Sequence, residues 1–343
     1  MNRTRSDNLL RTARFVAVLL LFAIPVVYLG IQRNYGVLQF AQLALDGLRG
    51  GAIYALIAMG FVMVFNVTGI INFAQGAFVM LGGMLTVTFY QMESSLPDRL
   101  HLIASAVLAV IITALIGLLI ERLTIYPARK SSTLTLIIIT VGVYIAMQGL
   151  GLLVWGAKAY VFPAFTTLAM TDHVFRWFGL VIKAQSFWIW GSMILVLVLL
   201  AYFFERTLLG KAMRACSVNR HGARLVGIGA ERMSLLAFGM AAAVGAIGGI
   251  VVSPILRPSY DMGLSLGLKG FVAAILGGLV STPGAVLGGL LLGFLENVAA
   301  GVTKAGMKDI YAFILLILTL LFRPQGLLGV GKTAVESSSE DHG

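Results

Sequence analysis

Ten continuous apolar runs, separated by short polar stretches, leave this 343-residue chain little choice of fold. They are Phe15–Ile31, Gly51–Phe65, Phe73–Tyr90, Leu102–Ile120, Leu134–Trp155, Phe187–Phe204, Ser234–Ile255, Phe271–Val280, Ala285–Val298 and Ile310–Phe322. In hydrocarbon every backbone N–H and C=O needs a partner within the protein, so only helices and closed barrels span it. A barrel would alternate apolar and polar residues over roughly 10-residue segments. These runs are unbroken, which is the helical pattern. Only 11% of the residues are charged, against about 25% in a soluble domain. The 40 glycines suit membrane helices, where small residues let backbones approach. The expected fold is an all-α polytopic membrane protein of about eight to ten transmembrane helices, with short or broken Gly-rich segments.

Several runs fall short of the ~20 residues of a full crossing. Phe271–Val280 and Ala285–Val298 are the clearest cases; either flanking residues extend them or they form a re-entrant hairpin. The first run has the basic flank of a signal peptide. It lacks a small-x-small cleavage site and leads into further spans, so it reads as an uncleaved first span. An even number of spans puts both termini on one side. With ten, 15 of the 25 Lys and Arg fall on that side and six of them lie in the loop Glu205–Met233. The positive-inside bias makes it the cytoplasmic side. The same bias explains the net charge of +11 without a nucleic-acid partner. The expected organisation is an N-terminal tail over 1–14, a membrane domain over 15–322 with a cytoplasmic loop at 205–233, and a C-terminal tail over 323–343.

Two stretches depart from plain apolar helix. "FNVTGIINFAQGAF" (Phe65–Phe78) carries Asn66, Thr68, Asn72 and Gln75 between two runs. "ILGGLVSTPGAVLGG" (Ile275–Gly289) turns at Ser281–Gly284. "QGAFVMLGG" and "PGAVLGG" are alike, as duplicated halves would be, though Gly-rich apolar sequence also matches itself by chance. Transporters place such interrupted segments near the substrate path.

A charge at the bilayer centre costs ~2.5–3.5 kcal/mol or more. Glu296, beside Asn297 in "LLLGFLENVAAG", is the clear candidate. It belongs either to a polar path or helix contact, or to the headgroup level at the end of a short span. Asp46 has Arg49 at i+3, which reads as an interfacial ion pair. A gradient-driven transporter usually keeps several embedded carboxylates. An intramembrane protease needs paired aspartates or HExxH. None of these appears, and the single cysteine, Cys216, with His101, His173, His221 and His342 scattered, gives no metal-ligand spacing. A non-enzymatic pore subunit without cofactor or metal, driven by a partner, is the favoured reading; a stand-alone secondary transporter of a small polar solute is the alternative.

The drive would enter at "ERTLLGKAMRACSVNRHGARLVGIGAERM". Ser217 is a candidate cap for a short helix, Leu225, Val226 and Ile228 give it an apolar edge, and Gly227 or Gly229 ends it. Such a helix docks into a groove of a soluble partner, or rests on anionic lipid.

These segments together resemble the LivH-like permease subunits of branched-chain amino-acid ABC importers. "GGAIYALIAMGFVMVFNVTGIINFAQGAFVMLGG" (Gly50–Gly83) is similar to their signature region, and "RACSVNRHGARLVGI" to their large cytoplasmic loop. "GFVAAILGGLVSTPGAVLGGLLLGFLENVAAG" (Gly270–Gly301) resembles their late Gly-rich hairpin and "LLFRPQGLLG" their tail. The LivM-type sister has related elements, but "INFAQG" and the RPQGL tail fit the H-type better. The resemblance implies a bacterial inner-membrane permease with both termini cytoplasmic. It also implies a second, LivM-type permease, two cytoplasmic ATPases, a periplasmic substrate-binding protein, and a branched-chain or other small amino acid, amide or urea as substrate. It places ATPase coupling at Cys216, Ser217, Asn219, Gly222, Ala223, Leu225 and Gly227. Arg214-Ala215-Cys216 stands where the general coupling motif has E-A-A. The translocation path would take Asn66, Asn72, Gln75, Glu296 and Asn297.

"GLLGVGKT", Gly326–Thr333, fits the phosphate-binding pattern G-x-x-x-x-G-K-[ST]. That pattern works only between a buried strand and a helix. Here it follows an apolar run and Pro324, with ten polar or small residues behind it. Gly326, Gly331, Lys332 and Thr333 therefore read as a false match, the glycines keeping the membrane exit flexible.

Overall fold

The computed structural model describes residues 28–166 and 173–328. Most of the first apolar run, the N-terminal tail and Gly331, Lys332 and Thr333 lie outside the described residues. The helices, in order, are α1 (Val37–Thr68), α2 (Gln75–Gln91), α3 (Asp98–Ile120), α4 (Thr133–Trp155), α5 (Ala184–Arg206), α6 (Leu208–Val218), α7 (Arg220–Leu225), α8 (Ala230–Leu256), α9 (Met262–Gly277), α10 (Thr282–Val302) and α11 (Lys308–Phe322). A π-helical turn, Glu121–Ile125, prolongs α3. Among the described residues six helices are long and apolar enough to cross a membrane: α1, α3 with its π turn, α4, α5, α8 and α10.

Helices α1, α8 and α10 form the centre, with α2 and α9 packed between them. The contact of α1 with α10 rests on glycines at i,i+4 on both partners. A Cβ at Gly47 would stand 2.8 Å from the Gly293 carbonyl oxygen, and one at Gly51 2.7 Å from that of Gly289. With no Cβ the two backbones touch, the small-xxx-small geometry of membrane helices. Around this centre α3, α4 and α5 turn Ile111, Leu115, Ile145, Leu153, Ile194 and Val198 outward. In water such a surface would be a liability; in a bilayer it faces lipid.

Helix ends follow local chemistry. Gly69 adopts φ +72° and returns its N–H to the Phe65 carbonyl, closing α1 as an αL residue does. Ser281 Oγ accepts from the Gly284 N–H at 3.1 Å and Pro283 sits in the first turn of α10. Helices α9 and α10 are thus two separate helices joined at Gly278–Ser281. Flanking residues extend Phe271–Val280 back to Met262 and Ala285–Val298 on to Val302.

Three expectations need correction. The chain is not purely helical: β1 (Val174–Trp177) and β2 (Leu180–Lys183) form an antiparallel hairpin, Val174 opposite Lys183. Its turn residues Phe178 and Gly179 both have positive φ, 48° and 82°, which matches the right-handed twist of a two-residue hairpin. Gln42 of α1 holds the hairpin with its amide, donating to the Val181 carbonyl (3.0 Å) and accepting from the Val181 N–H (2.9 Å). Second, the loop 205–233 holds two helices rather than one. Ser217 ends the first, donating its hydroxyl to the Arg214 carbonyl, and Asn219 caps the second, its Oδ1 accepting from the Gly222 N–H at 2.8 Å. Third, Gly326 is not a flexible exit. At φ +72° it packs on Gly278, while Leu327 and Leu328 donate to the Leu276 and Gly277 carbonyls (2.8 and 3.0 Å). Helix α11, not a strand, precedes it.

Candidate functional site

Polar side chains inside an apolar bundle sort into two levels along α1. The first surrounds Tyr54. Lys269, from α9, reaches Glu296 Oε1 on α10 at 2.8 Å and Asp309 Oδ1 on α11 at 2.9 Å. The Tyr54 hydroxyl donates to the same Glu296 Oε1 at 3.3 Å, and the Lys269 ammonium lies 5.6 Å from the Tyr54 ring centroid. Four helices are tied by one ammonium and one carboxylate. Glu296 is 2% exposed, and its second oxygen, Oε2, has no hydrogen-bond partner among the described residues. Asn297, next on α10, donates its amide to the Leu43 carbonyl at 2.7 Å. Both residues border a cavity of about 150 Å³ that also meets Asp46, Arg49, Tyr54 and Lys308. Asp46 and Arg49 form the expected i,i+3 pair at 3.2 Å.

The second level begins at Asn66, twelve residues on from Tyr54, or about 18 Å of helix rise. Asn66 donates to the Val280 carbonyl at 3.3 Å, linking α1 to the α9–α10 turn. Asn72 is fully buried in the break between α1 and α2, its Oδ1 accepting from the Ala74 N–H at 3.1 Å. Gln75 is also buried and donates to the Ala241 carbonyl of α8 at 3.0 Å. Its amide fills the space left by two glycines, since a Cβ at Gly245 would come within 2.8 Å of Gln75 Nε2 and one at Gly60 closer still. Nδ2 of Asn72 and Oε1 of Gln75 are buried without partners among the described residues. Asn66 thus sits at the α9–α10 turn and Asn72 in the α1–α2 break, Gln75 packs against Gly60, midway between Tyr54 and Asn66 along α1, and Glu296 and Asn297 lie on the Tyr54 side.

Beside the lower level lies a cavity of about 200 Å³ lined by Thr68, Ile70, Glu121, Arg129, Arg220 and Glu231, among others. Arg129 is ion-paired with Glu231, and the guanidinium carbons of Arg122 and Arg129 stand 4.1 and 4.4 Å from the Tyr126 ring centroid.

Helices α6 and α7 follow on the same side. Thr207 Oγ1 accepts from the Gly210 N–H at 3.0 Å to start α6. Met213 and Cys216 of α6 and Ala223 of α7 turn inward, against Ala230, Met233 and Ala237. Burial pushes the Cys216 thiol above its ordinary pKa, against the opposing pull of Arg220 and Arg224. Gly227 (φ +84°) reverses the chain, and Ile228 donates to the Ala223 carbonyl at 2.9 Å. Leu225, 89% exposed, points outward with Val218 and Val226. Of the expected coupling residues, Leu225 therefore presents an apolar surface, Cys216 and Ala223 support it from beneath, and Asn219 and Gly227 shape it.

Sequence reasoning missed Lys269, Tyr54 and Asp309. The signal for Lys269 was a lone lysine in the Gly-rich apolar stretch "LGLKGFVAAIL", opposite in sign to the lone Glu296.

Comparison with known proteins covers most of the chain's length. The chain matches the family described as "Branched-chain amino acid transport system / permease component" over residues 43–320. It is 36% identical over 300 residues to the high-affinity branched-chain amino acid transport system permease protein BraD of Pseudomonas aeruginosa, covering 85% of this chain and 96% of that one. It is 33% identical over 299 residues to the corresponding protein LivH of Escherichia coli K12, with the same coverage. A probable branched-chain amino acid transport permease protein LivH of Methanocaldococcus jannaschii is 27% identical over 304 residues, 82% of this chain and 92% of that one.

Proposed function

The chain belongs to the branched-chain amino acid transport permease family, and from that premise we propose that it builds the translocation path of an ATP-driven importer of branched-chain amino acids with a second permease. The observation that carries this reading is near end-to-end similarity to BraD and LivH, each covered over 96% of its length. The second permease is of the LivM type. Two cytoplasmic ATPases and a periplasmic substrate-binding protein complete the assembly, so this chain itself hydrolyses nothing.

The chain lies in the bacterial inner membrane with both termini in the cytoplasm. Its ten spans are the six long helices, the shorter α2, α9 and α11, and the run Phe15–Ile31. The membrane domain is 15–322, the tails are 1–14 and 323–343, and 205–233 is the coupling loop. The Lys and Arg of α6 and α7 support that orientation.

The path runs from Glu296 and Asn297 at the outer level to Asn66, Asn72 and Gln75 at the inner one. A zwitterion must pass without being trapped, and walls of amides with few net charges suit that need. ATP-driven closure of the partner subunits pushes on Leu225 and Val226, and α6–α7 pass the movement into α8. The permeases then rock between outward- and inward-open states.

The test is reconstitution of the chain with its three partner types in liposomes. Labelled leucine should accumulate only with ATP on the coupling-loop side. Uptake by this chain alone, driven by a proton or sodium gradient, would overturn the reading in favour of secondary transport.

A further inference from the structure

We infer that the outer-level cavity between α1, α8, α9, α10 and the start of α11 is a binding subsite for a zwitterionic α-amino acid, its ammonium received by Glu296 Oε2 and its carboxylate by Arg49 and Lys308; this rests on the amino-acid transport reading above and deepens it.

The starting point is an imbalance. Lys269 is fully engaged, by Glu296 at 2.8 Å, by Asp309 at 2.9 Å and by the Tyr54 ring. Glu296 is not. Both its donors, Lys269 and Tyr54, converge on Oε1, and the buried Oε2 accepts from nothing among the described residues. An ionised carboxylate oxygen without a donor in a buried site is costly, and native proteins rarely leave one so. Glu296 also lines a cavity of about 150 Å³, room for several waters or a small solute. An ammonium is the donor such an oxygen best accepts, since charge-assisted bonds are the stronger ones.

The rest of the wall specifies the other end. Among the described residues Arg49 pairs only with Asp46, at 3.2 Å, which leaves most of its guanidinium donors open. Lys308 carries no ion pair among the described residues and lines the same cavity. Asp46 and Glu296 balance Arg49 and Lys308, so the wall is neutral overall. A solute with one net charge would leave an uncompensated charge inside the membrane domain; a zwitterion would not. The Asn297 carbonyl oxygen, whose amide is held by Leu43, adds a fixed acceptor. Ile53, Val252 and Leu266 supply an apolar side suited to a hydrocarbon side chain.

The experiment uses the purified full chain in lipid nanodiscs and three probes of similar shape: L-leucine, 4-methylpentanoate, which lacks the ammonium, and 3-methylbutylamine, which lacks the carboxylate. Leucine should bind saturably and at least about tenfold more tightly than either analogue. Glu296→Gln should weaken leucine by about tenfold or more and leave 4-methylpentanoate unchanged. In that variant Lys269 keeps its Asp309 partner. Arg49→Gln and Lys308→Gln, which alter less buried groups, should weaken leucine and leave 3-methylbutylamine unchanged. Unaltered leucine binding in Glu296→Gln, or equal binding of leucine and both analogues, would overturn the inference. If the isolated chain binds no leucine while the assembled transporter still imports it, the subsite falls and the transport reading stands. Failure of the assembled transporter to import any amino acid is the separate result that removes the transport reading.

Discussion

Gly51 of α1 and Gly289 of α10 lie in backbone contact: a Cβ at Gly51 would stand 2.7 Å from the Gly289 carbonyl oxygen, whereas one at the adjacent Gly50 would meet nothing within 4 Å. The pair is a built-in controlled experiment. Gly51→Val should force α1 and α10 apart and destabilise the chain by about 1–3 kcal/mol or more, since overpacked interiors relax poorly. Gly50→Ala should be neutral or slightly stabilising, because alanine restricts the unfolded chain more than glycine. Thermal melts of the two variants in one detergent measure the difference. Equal melting temperatures would show that α1 and α10 do not touch as described.

Lys269 is the hub of the buried polar cluster, so its loss should exceed that of an ordinary surface charge. Lys269→Met leaves Glu296 without its cation in a site only 2% exposed. Breaking a buried pair from one side costs about 3–5 kcal/mol, mostly from the charge left behind. Adding Glu296→Leu should recover much of the loss, because an apolar pair of similar volume often replaces an ion pair at little cost. A double-mutant cycle on chemical or thermal unfolding reads the coupling. Additive effects would mean that the two side chains are not paired.

These two sites also mark where sequence reading stops. Continuous apolar runs were enough to place α3, α4 and α5, whose outer faces meet lipid and whose ends coincide with polar residues. Helix α1 began far earlier than its run, at Val37 rather than Gly51, because Asp46 and Arg49 neutralise each other and the helix carries both. Lys269 was hidden for the same reason: its compensating charge lies 27 residues away on α10, and no local pattern records that. Gly50 and Gly51 are indistinguishable as letters; only the neighbouring helix separates them. The hairpin Val174–Lys183 turns through Phe178-Gly179, and phenylalanine at a positive φ is a turn signal few sequences give. Of the expected path residues, the burial of Asn72 and Gln75 beside a helix break was legible in "INFAQG". That Gln75 packs against Gly60 of α1 while Glu296 meets Tyr54, six residues earlier, was not, because it depends on which part of α1 each packs against.

Two candidate caps stand two residues apart in the loop 205–233, and they can be told apart. Asn219 Oδ1 accepts from the Gly222 N–H at 2.8 Å, whereas Ser217 Oγ is spent on the Arg214 carbonyl within α6. Asn219→Ala should therefore cost about 0.5–2 kcal/mol of local stability, and Asn219→Asp should retain most of it. Ser217→Ala should fall within about 0.5 kcal/mol of wild type. Amide exchange across Arg220–Leu225 is the appropriate measurement, because short peripheral elements open locally at lower free energy than a core. Faster exchange in Ser217→Ala than in Asn219→Ala would reassign the cap.

Leu225 and Ala223 lie two residues apart on α7 and face opposite ways, 89% and 4% exposed. An aspartate at each position therefore asks a different question. Ala223→Asp puts a carboxylate among the buried Met213, Cys216 and Met233 and should cost about 1–3 kcal/mol. It should lower expression and melting temperature before any effect on coupling can be read. Leu225→Asp adds its charge at the surface and should leave the melting temperature unchanged. If α7 transmits the push of an ATPase, Leu225→Asp should still permit assembly but reduce leucine uptake per ATP hydrolysed, by about tenfold if the leucine is a central anchor of the contact. Leu225→Met, which keeps the apolar surface, should behave as wild type. Normal uptake and normal ATP use in Leu225→Asp would mean that the force enters elsewhere, and that the apolar edge of α7 rests on lipid.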